Sequence, residues 1–287
     1  METVFVTGGS SALGQHALRR LSSRAKIVAV IHRHSFEIPG VQIEVLNGGL
    51  EEAVRDSTGL QKAEVVLHMA GLTHADDPSE YLRVNLELTK RLLSACRPHQ
   101  HFVYISTICA HPDGGAYGRS KWLAEEAIRK SGLNFTIIRP AEIYSSKNRE
   151  GIDALITFAR KTHIVPDFRC RGSIKYAPIS VSDAADFVAE ATICRRNTGR
   201  TYVLCADLPY NASEIARALR TSVHPLFVLP LPVVILRTAN ALRLPLPFKC
   251  DQLDRLVLPK LYNNDLARRD YDFCPKSFLE YLTEGGK

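Results

Sequence analysis

The chain lacks any uninterrupted apolar run of about 18 residues, the length a membrane-spanning helix requires, and its seven cysteines include no C-x-x-C pair. Cys96, Cys109, Cys170, Cys194, Cys205, Cys250 and Cys274 are odd in number and scattered, which argues against a disulfide framework and a structural zinc site and for reduced thiols in a cytosolic protein. The ten histidines have no carboxylate or cysteine partner at zinc-ligand spacing, so no metal is expected. Internal repeats and low-complexity tracts are also missing. Met1-Glu-Thr-Val-Phe-Val enters a strand-like run at once, without a basic leader, so no secretory signal is read and a cytoplasmic location is expected. Basic residues are dispersed, with neither a stacking platform nor finger spacing, so nucleic acid is not an expected partner.

What is present is a chain of 287 residues, 45% of them hydrophobic, long enough to bury a full core. Its net charge of +7 suits anionic partners such as nucleotide phosphates. Apolar, β-branched runs recur at Val4–Thr7, Ile27–Ile31, Ile43–Leu46, Val65–Met69, Phe102–Ser106 and Phe135–Arg139. Helical stretches at Gly14–Leu21, Ser79–Cys96 and Ser120–Lys130 lie between several of them. Near-continuous apolar strands alternating with helices predict an α/β fold of the Rossmann type, a doubly wound parallel sheet covered on both faces. Beyond Tyr144 the pattern loosens and prolines accumulate. The expected organisation is a dinucleotide-binding domain over 1–144, rejoined by a strand near 201–205, with 145–180 and 206–287 forming a smaller interleaved substrate lobe.

Thr7-Gly-Gly-Ser-Ser-Ala-Leu-Gly14 follows the first strand and opens the first helix. Glycine there lets the backbone turn and approach a pyrophosphate, while the helix amino end supplies N–H donors and the positive end of its dipole. Gly8, Ser10, Ser11, Ala12, Leu13 and Gly14 are therefore candidate cofactor contacts. Further along, Tyr117-Gly-Arg-Ser-Lys121 sets a phenol and an ammonium one helical turn apart, after the Ser106-Thr107 pair. A lysine held near a tyrosine lowers the phenol's pKa from about 10, so the pair can exchange a proton with a carbonyl or hydroxyl near neutrality.

Together these stretches resemble the short-chain dehydrogenase/reductase superfamily and its extended branch of nucleotide-sugar epimerases, dehydratases and reductases. That branch carries T-G-x-x-G-x-x-G, and here Ser11 replaces the middle glycine. His68-Met-Ala-Gly71 is similar to the family's segment beside the cofactor ribose, which adds Ala70 and Gly71 to the cofactor set. Asn85 resembles the asparagine that supports the catalytic lysine through a water. Ile138-Arg-Pro-Ala-Glu-Ile-Tyr144 resembles R-P-x-x-V-Y-G, with Pro140 beside the cofactor, and Ile179-Ser-Val-Ser-Asp183 resembles a late V-x-D segment. The resemblance implies Tyr117 as acid/base, Lys121 as the group that tunes it and holds the nicotinamide ribose, and Thr107, with Ser106 as the alternative, as the hydroxyl on the reacting oxygen.

After the second strand stand His32-Arg33-His34, with no carboxylate until Glu37. Arg33 suits a ribose 2′-phosphate through its planar fork, which favours NADP(H) and leaves NAD(H) as the alternative. Ile108 and Cys109 follow Thr107 where the family's 4,6-dehydratases carry acidic residues, so that reaction is disfavoured. The expected activity is hydride transfer on a nucleotide-linked sugar, by a keto-sugar reductase or a 4-epimerase, with Arg169, Arg171 and Lys175 as candidate diphosphate contacts. Alternatives are reduction of a small non-sugar ketone and an NADP-binding sensor or scaffold without turnover. The family also implies a homodimer. Leu226 to Phe248, apolar apart from Arg237 and Arg243, is expected to pack internally or at a dimer contact, with peripheral membrane contact as a further reading.

Overall fold

The computed structural model describes residues 1–31, 38, 40–55, 58–145, 151–242 and 250–283, and only the backbone of Cys250. His32, Arg33 and Arg243 lie outside the described residues. The amino-terminal half mostly alternates strands with helices. β1 (Thr3–Thr7) leads to α1 (Ala12–Leu21), then β2 (Lys26–Val30), β3 (Ile43–Leu46), α2 (Gly49–Arg55) and α3 (Thr58–Lys62). β4 (Val65–His68) precedes α4 (Ser79–Tyr81), a π-helical segment at Leu82–Glu87, and α5 (Leu88–Ala95). β5 (His101–Ile105), α6 (Gly115–Arg129) and β6 (Asn134–Pro140) complete this half.

The second half is less regular. It runs through β7 (Ile143–Tyr144), α7 (Gly151–Thr162), β8 (Ile164–Arg169), β9 (Ile179–Ser180), α8 (Val181–Cys194) and β10 (Arg200–Leu204). It ends with α9 (Ala212–Leu219), β11 (Phe227–Pro232), α10 (Val233–Ala241), α11 (Cys250–Val257), α12 (Asp265–Tyr271) and α13 (Phe278–Thr283).

Seven strands form one parallel sheet in the order β10-β6-β5-β4-β1-β2-β3. The order reverses between β1 and β4, and a crevice opens at the carboxyl ends of strands where such a reversal occurs. The sheet forms because its central strands are apolar on both faces. Val4 and Val6 join Leu13, Leu18 and Leu21 of α1 and Phe187 of α8 in one cluster. On the other face Phe5, Val66, Phe102 and Tyr104 pack with Leu92 of α5 and Ile128 of α6. Each fully buried large side chain is worth about 1.5–3 kcal/mol, so the two layers hold the sheet from both sides.

A third cluster joins Ile152 and Ile156 of α7 and Val165 of β8 to Ile215 and Leu219 of α9 and Phe278 of α13. It draws on both late stretches, but Ala267 and Phe273, at α12, return to the main-sheet cluster. The apolar segment beginning at Leu226 is not one helix. Pro230 and Pro232 lie in β11, which among the described residues pairs only with β8 and so sits at an edge, where a residue without N–H is tolerated. α10 then exposes Val234 and Ile235, while Arg237 pairs with Asp254 at 2.7 Å. Among the described residues no helix is long and apolar enough to cross a membrane.

Gly8 marks where β1 and β4 meet. Its φ is +75°, and an added Cβ would stand 2.4 Å from the Ala70 nitrogen. Gly40 has a similar φ of +77° but open space around it. Gly8→Ala should therefore cost at least about 3 kcal/mol, strain plus collision, against about 1–2 kcal/mol for Gly40→Ala. Chemical denaturation of the two variants tests this, and equal losses would contradict the packing argument.

Candidate active site

Everything at the site stands at the carboxyl ends of β1, β4, β5 and β6. The phosphate loop is shaped by Ser11, which caps α1: its Oγ accepts from the Gly14 amide at 3.0 Å and donates to the Gly8 carbonyl at 3.0 Å. The serine that replaces the family's middle glycine thus spends its hydroxyl on the turn itself. The amides of Ala12 and Leu13 open the helix beside it, and Gly14 is excluded from carrying a Cβ by Gly8 O at 2.4 Å. A tight, amide-lined turn at the switch point of the sheet fits a dinucleotide pyrophosphate.

Behind the loop, His68 at the end of β4 is buried between two threonines. Its Nδ1 lies 2.6 Å from Thr7 Oγ1 and its Nε2 2.9 Å from Thr89 Oγ1, and the ring stacks on Tyr104 at 5.5 Å. Burial first, and the Lys121 charge second, push its pKa down to about 3, so it is neutral near neutrality. His101 is similarly occupied by Thr136, at 2.9 Å.

α6 begins at Gly115 rather than at the expected Ser120, which puts Tyr117 in its first turn and Lys121 in its second. Lys121 is buried. Its Nζ donates to the Ile105 carbonyl at 2.6 Å and lies 4.2 Å from the centroid of the Tyr104 ring. Desolvation lowers its pKa to about 7, partly offset by Glu125. A Cβ on Gly71 would stand 3.2 Å from Asn85 Oδ1 and 3.5 Å from Lys121 Nζ, so both side chains lie against that glycine. Asn85 sits in the π-helical segment, where its Nδ2 donates to Leu72 O and Ser120 Oγ, both at 3.0 Å, and its Oδ1 accepts from the Leu72 amide at 2.7 Å.

The two adjacent hydroxyls diverge. Ser106 donates to Glu125 Oε1 at 2.5 Å, inside a buried network in which Glu125 also receives Arg139 and Arg129. Thr107 instead stands near Tyr117, where its hydroxyl favours the ionised phenol, and it accepts from the Cys109 amide at 3.2 Å. Tyr117 itself is pushed up to about 12, by burial first and then by Cys109, against the lowering effects of Arg255 and Thr107. Arg255, from α11, holds its guanidinium carbon 4.7 Å from the Tyr117 ring centroid. It is the cation facing the phenol ring, whereas Lys121 faces Ile105 and Tyr104.

Four groups at this wall carry no signal in the sequence pattern. Arg255 and Asp251 come from α11, Lys260 follows it, and Glu142 follows β6. Lys260 Nζ lies 3.5 Å from Glu142 Oε1 with its side chain buried, and both charges act on Cys109, which in turn acts on Tyr117. Among the described residues Glu142 Oε2 and Tyr176 Oη are buried without a hydrogen-bond partner, while Asp251 Oδ2 and Arg255 Nε are buried against each other at 3.1 Å. Arg169, Arg171 and Lys175 lie on the exposed turn after β8, where Arg169 is paired with Asp167 at 2.7 Å. Among the described residues no group of three or more His, Cys, Asp or Glu stands ready for a metal ion.

A parallel sheet with this switch point and a capped glycine turn on it define a dinucleotide-binding fold. The model of the NAD dependent epimerase/dehydratase family matches residues 4–203, and the chain belongs to that family. It is 28% identical over 187 residues to the ceramide reductase of Caulobacter vibrioides, covering 63% of this chain and 58% of that one. It is 26% identical over 311 residues to the Arabidopsis thaliana protein named NADH dehydrogenase [ubiquinone] 1 alpha subcomplex subunit 9, mitochondrial, covering 98% of this chain and 76% of that one. It is 30% identical over 168 residues to mouse UDP-glucose 4-epimerase, covering 45% and 48%.

Buried His68 and Lys121 each make stability depend on pH, as does His101, pushed down to about 4 by burial. Between about 3 and 6.5 the unfolded chain binds the His68 proton that the folded protein refuses, so stability falls as pH drops through that window. Between about 7 and 10.5 the same holds for Lys121, so its contribution rises with pH. Each slope is on the order of 1.4 kcal/mol per pH unit. Denaturation of His68→Gln and Lys121→Met across pH 4–10 should flatten the acid and alkaline windows respectively, and identical profiles would refute both assignments.

Proposed function

We propose that the protein transfers hydride between a nicotinamide cofactor and a carbon of a nucleotide-linked sugar, as a keto-sugar reductase or a 4-epimerase, with Thr107, Tyr117 and Lys121 as its working groups. The observation that carries this is the placing of Tyr117 and a buried Lys121 on successive turns of α6, with Lys121 anchored to the end of β5 two residues before Thr107. The turn at Gly8–Gly14 and Lys121 would hold the cofactor, which would supply the hydride donor or acceptor. Tyr117 holds or releases the proton on the reacting oxygen, and Thr107 fixes that oxygen by a hydrogen bond. The Ile105 carbonyl and Gly71 hold Lys121 in place, and Asn85 ties its helix through Ser120. Arg33 favours a 2′-phosphate and hence NADP(H).

The sugar reading is supported by Glu142 Oε2 and Tyr176 Oη, buried polar atoms without a partner among the described residues, which suit a substrate with several hydroxyls better than a plain ketone. The 4-epimerase named among the relatives acts on such a sugar, while the ceramide reductase takes a lipid. A second reading, a cofactor-binding subunit without turnover, is favoured by the near-complete coverage of this chain in its match to the Arabidopsis subunit.

Titration of NADPH and NADH against fluorescence of the single tryptophan, Trp122, next to Lys121, measures cofactor choice. A panel of nucleotide keto-sugars, with a long-chain keto-sphingoid as the lipid arm, then reads turnover at the nicotinamide band. Tyr117→Phe should lose about 100-fold or more in turnover while binding cofactor normally. Thr107→Val should lose about 10- to 100-fold, and Ser106→Ala, whose hydroxyl serves Glu125, less than about threefold in turnover per folded molecule. Wild-type turnover in Tyr117→Phe would sink the assignment, and cofactor binding with no turnover across the panel would favour the subunit reading.

A further inference from the structure

The amino end of α6 has no cap of its own. Gly114 stands at the N-cap position with no side chain to offer, and the first turn carries no acidic residue. The missing acceptor comes from α11: Asp251 Oδ1 accepts the backbone N–H of Tyr117 at 3.0 Å, from 134 residues away. Gly115 makes the room, since a Cβ there would stand 2.6 Å from that oxygen and its φ is +67°. A carboxylate at this point also meets the positive end of the helix dipole.

One turn along α11, Arg255 faces both groups. Its Nε lies 3.1 Å from Asp251 Oδ2, with each side chain only 15% exposed, and its guanidinium covers the Tyr117 ring at 4.7 Å. Nη1 reaches the Thr73 carbonyl at 3.4 Å, in the loop after β4. Tyr81 meets the same ring edge-on at 5.8 Å. The phenol is therefore held at its backbone, on its face and at its edge, by groups from outside α6.

We propose that Asp251 and Arg255 are positioning residues for Tyr117, the carboxylate fixing its backbone and the guanidinium fixing its ring, so that α11 completes the site built on the parallel sheet. The role rests on Tyr117 being the proton-exchanging group. A cation over the ring face is attracted by the ring's charge distribution and favours the phenolate. Burial first, then Cys109 and Tyr81, oppose ionisation, and Arg255 and Thr107 counter them.

The test uses the full chain with biosynthetically incorporated 3-fluorotyrosine, whose phenols ionise at lower pH, followed by ¹⁹F NMR with Tyr117→Phe assigning the resonance among the ten tyrosines. Arg255→Gln should move the Tyr117 resonance and make the phenol a weaker acid by about threefold or more, and Arg255→Lys should restore part of the shift. Asp251→Ala should speed hydrogen exchange of the Tyr117 amide by about tenfold or more while amides of the central strands keep their protection. Asp251→Asn, which keeps an acceptor, should retain most of the protection. An unmoved Tyr117 midpoint in folded Arg255→Gln, or unchanged exchange in Asp251→Ala, overturns the proposal. Should Arg255→Gln fail to fold, a wild-type midpoint in Arg255→Lys overturns the ring contact and an intermediate one supports it. None of these readouts needs a substrate, so they stand whether or not Tyr117→Phe abolishes turnover.

Discussion

Helix α6 carries a buried cation and a buried anion one turn apart, and both are tied to the end of β5. Lys121 donates to the carbonyl of Ile105, and Glu125 takes the hydroxyl of the next residue, Ser106, together with the guanidinium of Arg139 from β6. Burying either charge without its partners is strongly unfavourable. A slip of α6 along the sheet would strip both at once, so its register is held, and with it the place of Tyr117 one turn before Lys121. Thr107 then stands near the phenol because it follows the anchored Ser106.

The same economy of buried polar groups explains the opposite wall of the crevice. His68 could serve chemistry at the end of β4, but its two nitrogens are committed to Thr7 and Thr89 and its ring to Tyr104. It braces β1 against β4 and α5 at the switch point, below the glycine turn. The cost of holding His68 and Lys121 in a dry interior is borne as pH-dependent stability, and Lys121 gains from it an ammonium that gives up its proton near neutrality.

Much of this was legible in the chain. Seven apolar runs match seven parallel strands because strands buried on both faces must be apolar at nearly every position, and β10 falls on the expected returning strand. The glycine turn and the Tyr117–Lys121 spacing were equally plain, since a tight turn and a helical repeat leave local marks. Helix boundaries were less so: α6 starts at Gly115, in a stretch of glycines that reads as loop, because its cap is Asp251 and not a neighbour. The π-helical segment around Asn85 leaves no period of its own, and the fate of Ser106 depended on a glutamate on another element.

The sequence by itself determined the sheet, the order of its elements and the one-turn spacing of Tyr117 and Lys121, because hydrophobic period and backbone permissiveness act between near neighbours. The expected lowering of the phenol's pKa by Lys121 does not occur: burial pushes Tyr117 up and Lys121 faces Ile105 and Tyr104. Tertiary structure alone decided which cation faces the phenol, which of two adjacent hydroxyls stands near it, and that Glu142, Asp251, Arg255 and Lys260 line its wall. Those outcomes turn on desolvation and charge pairing between residues far apart in the chain, and no spacing in the sequence encodes such distances.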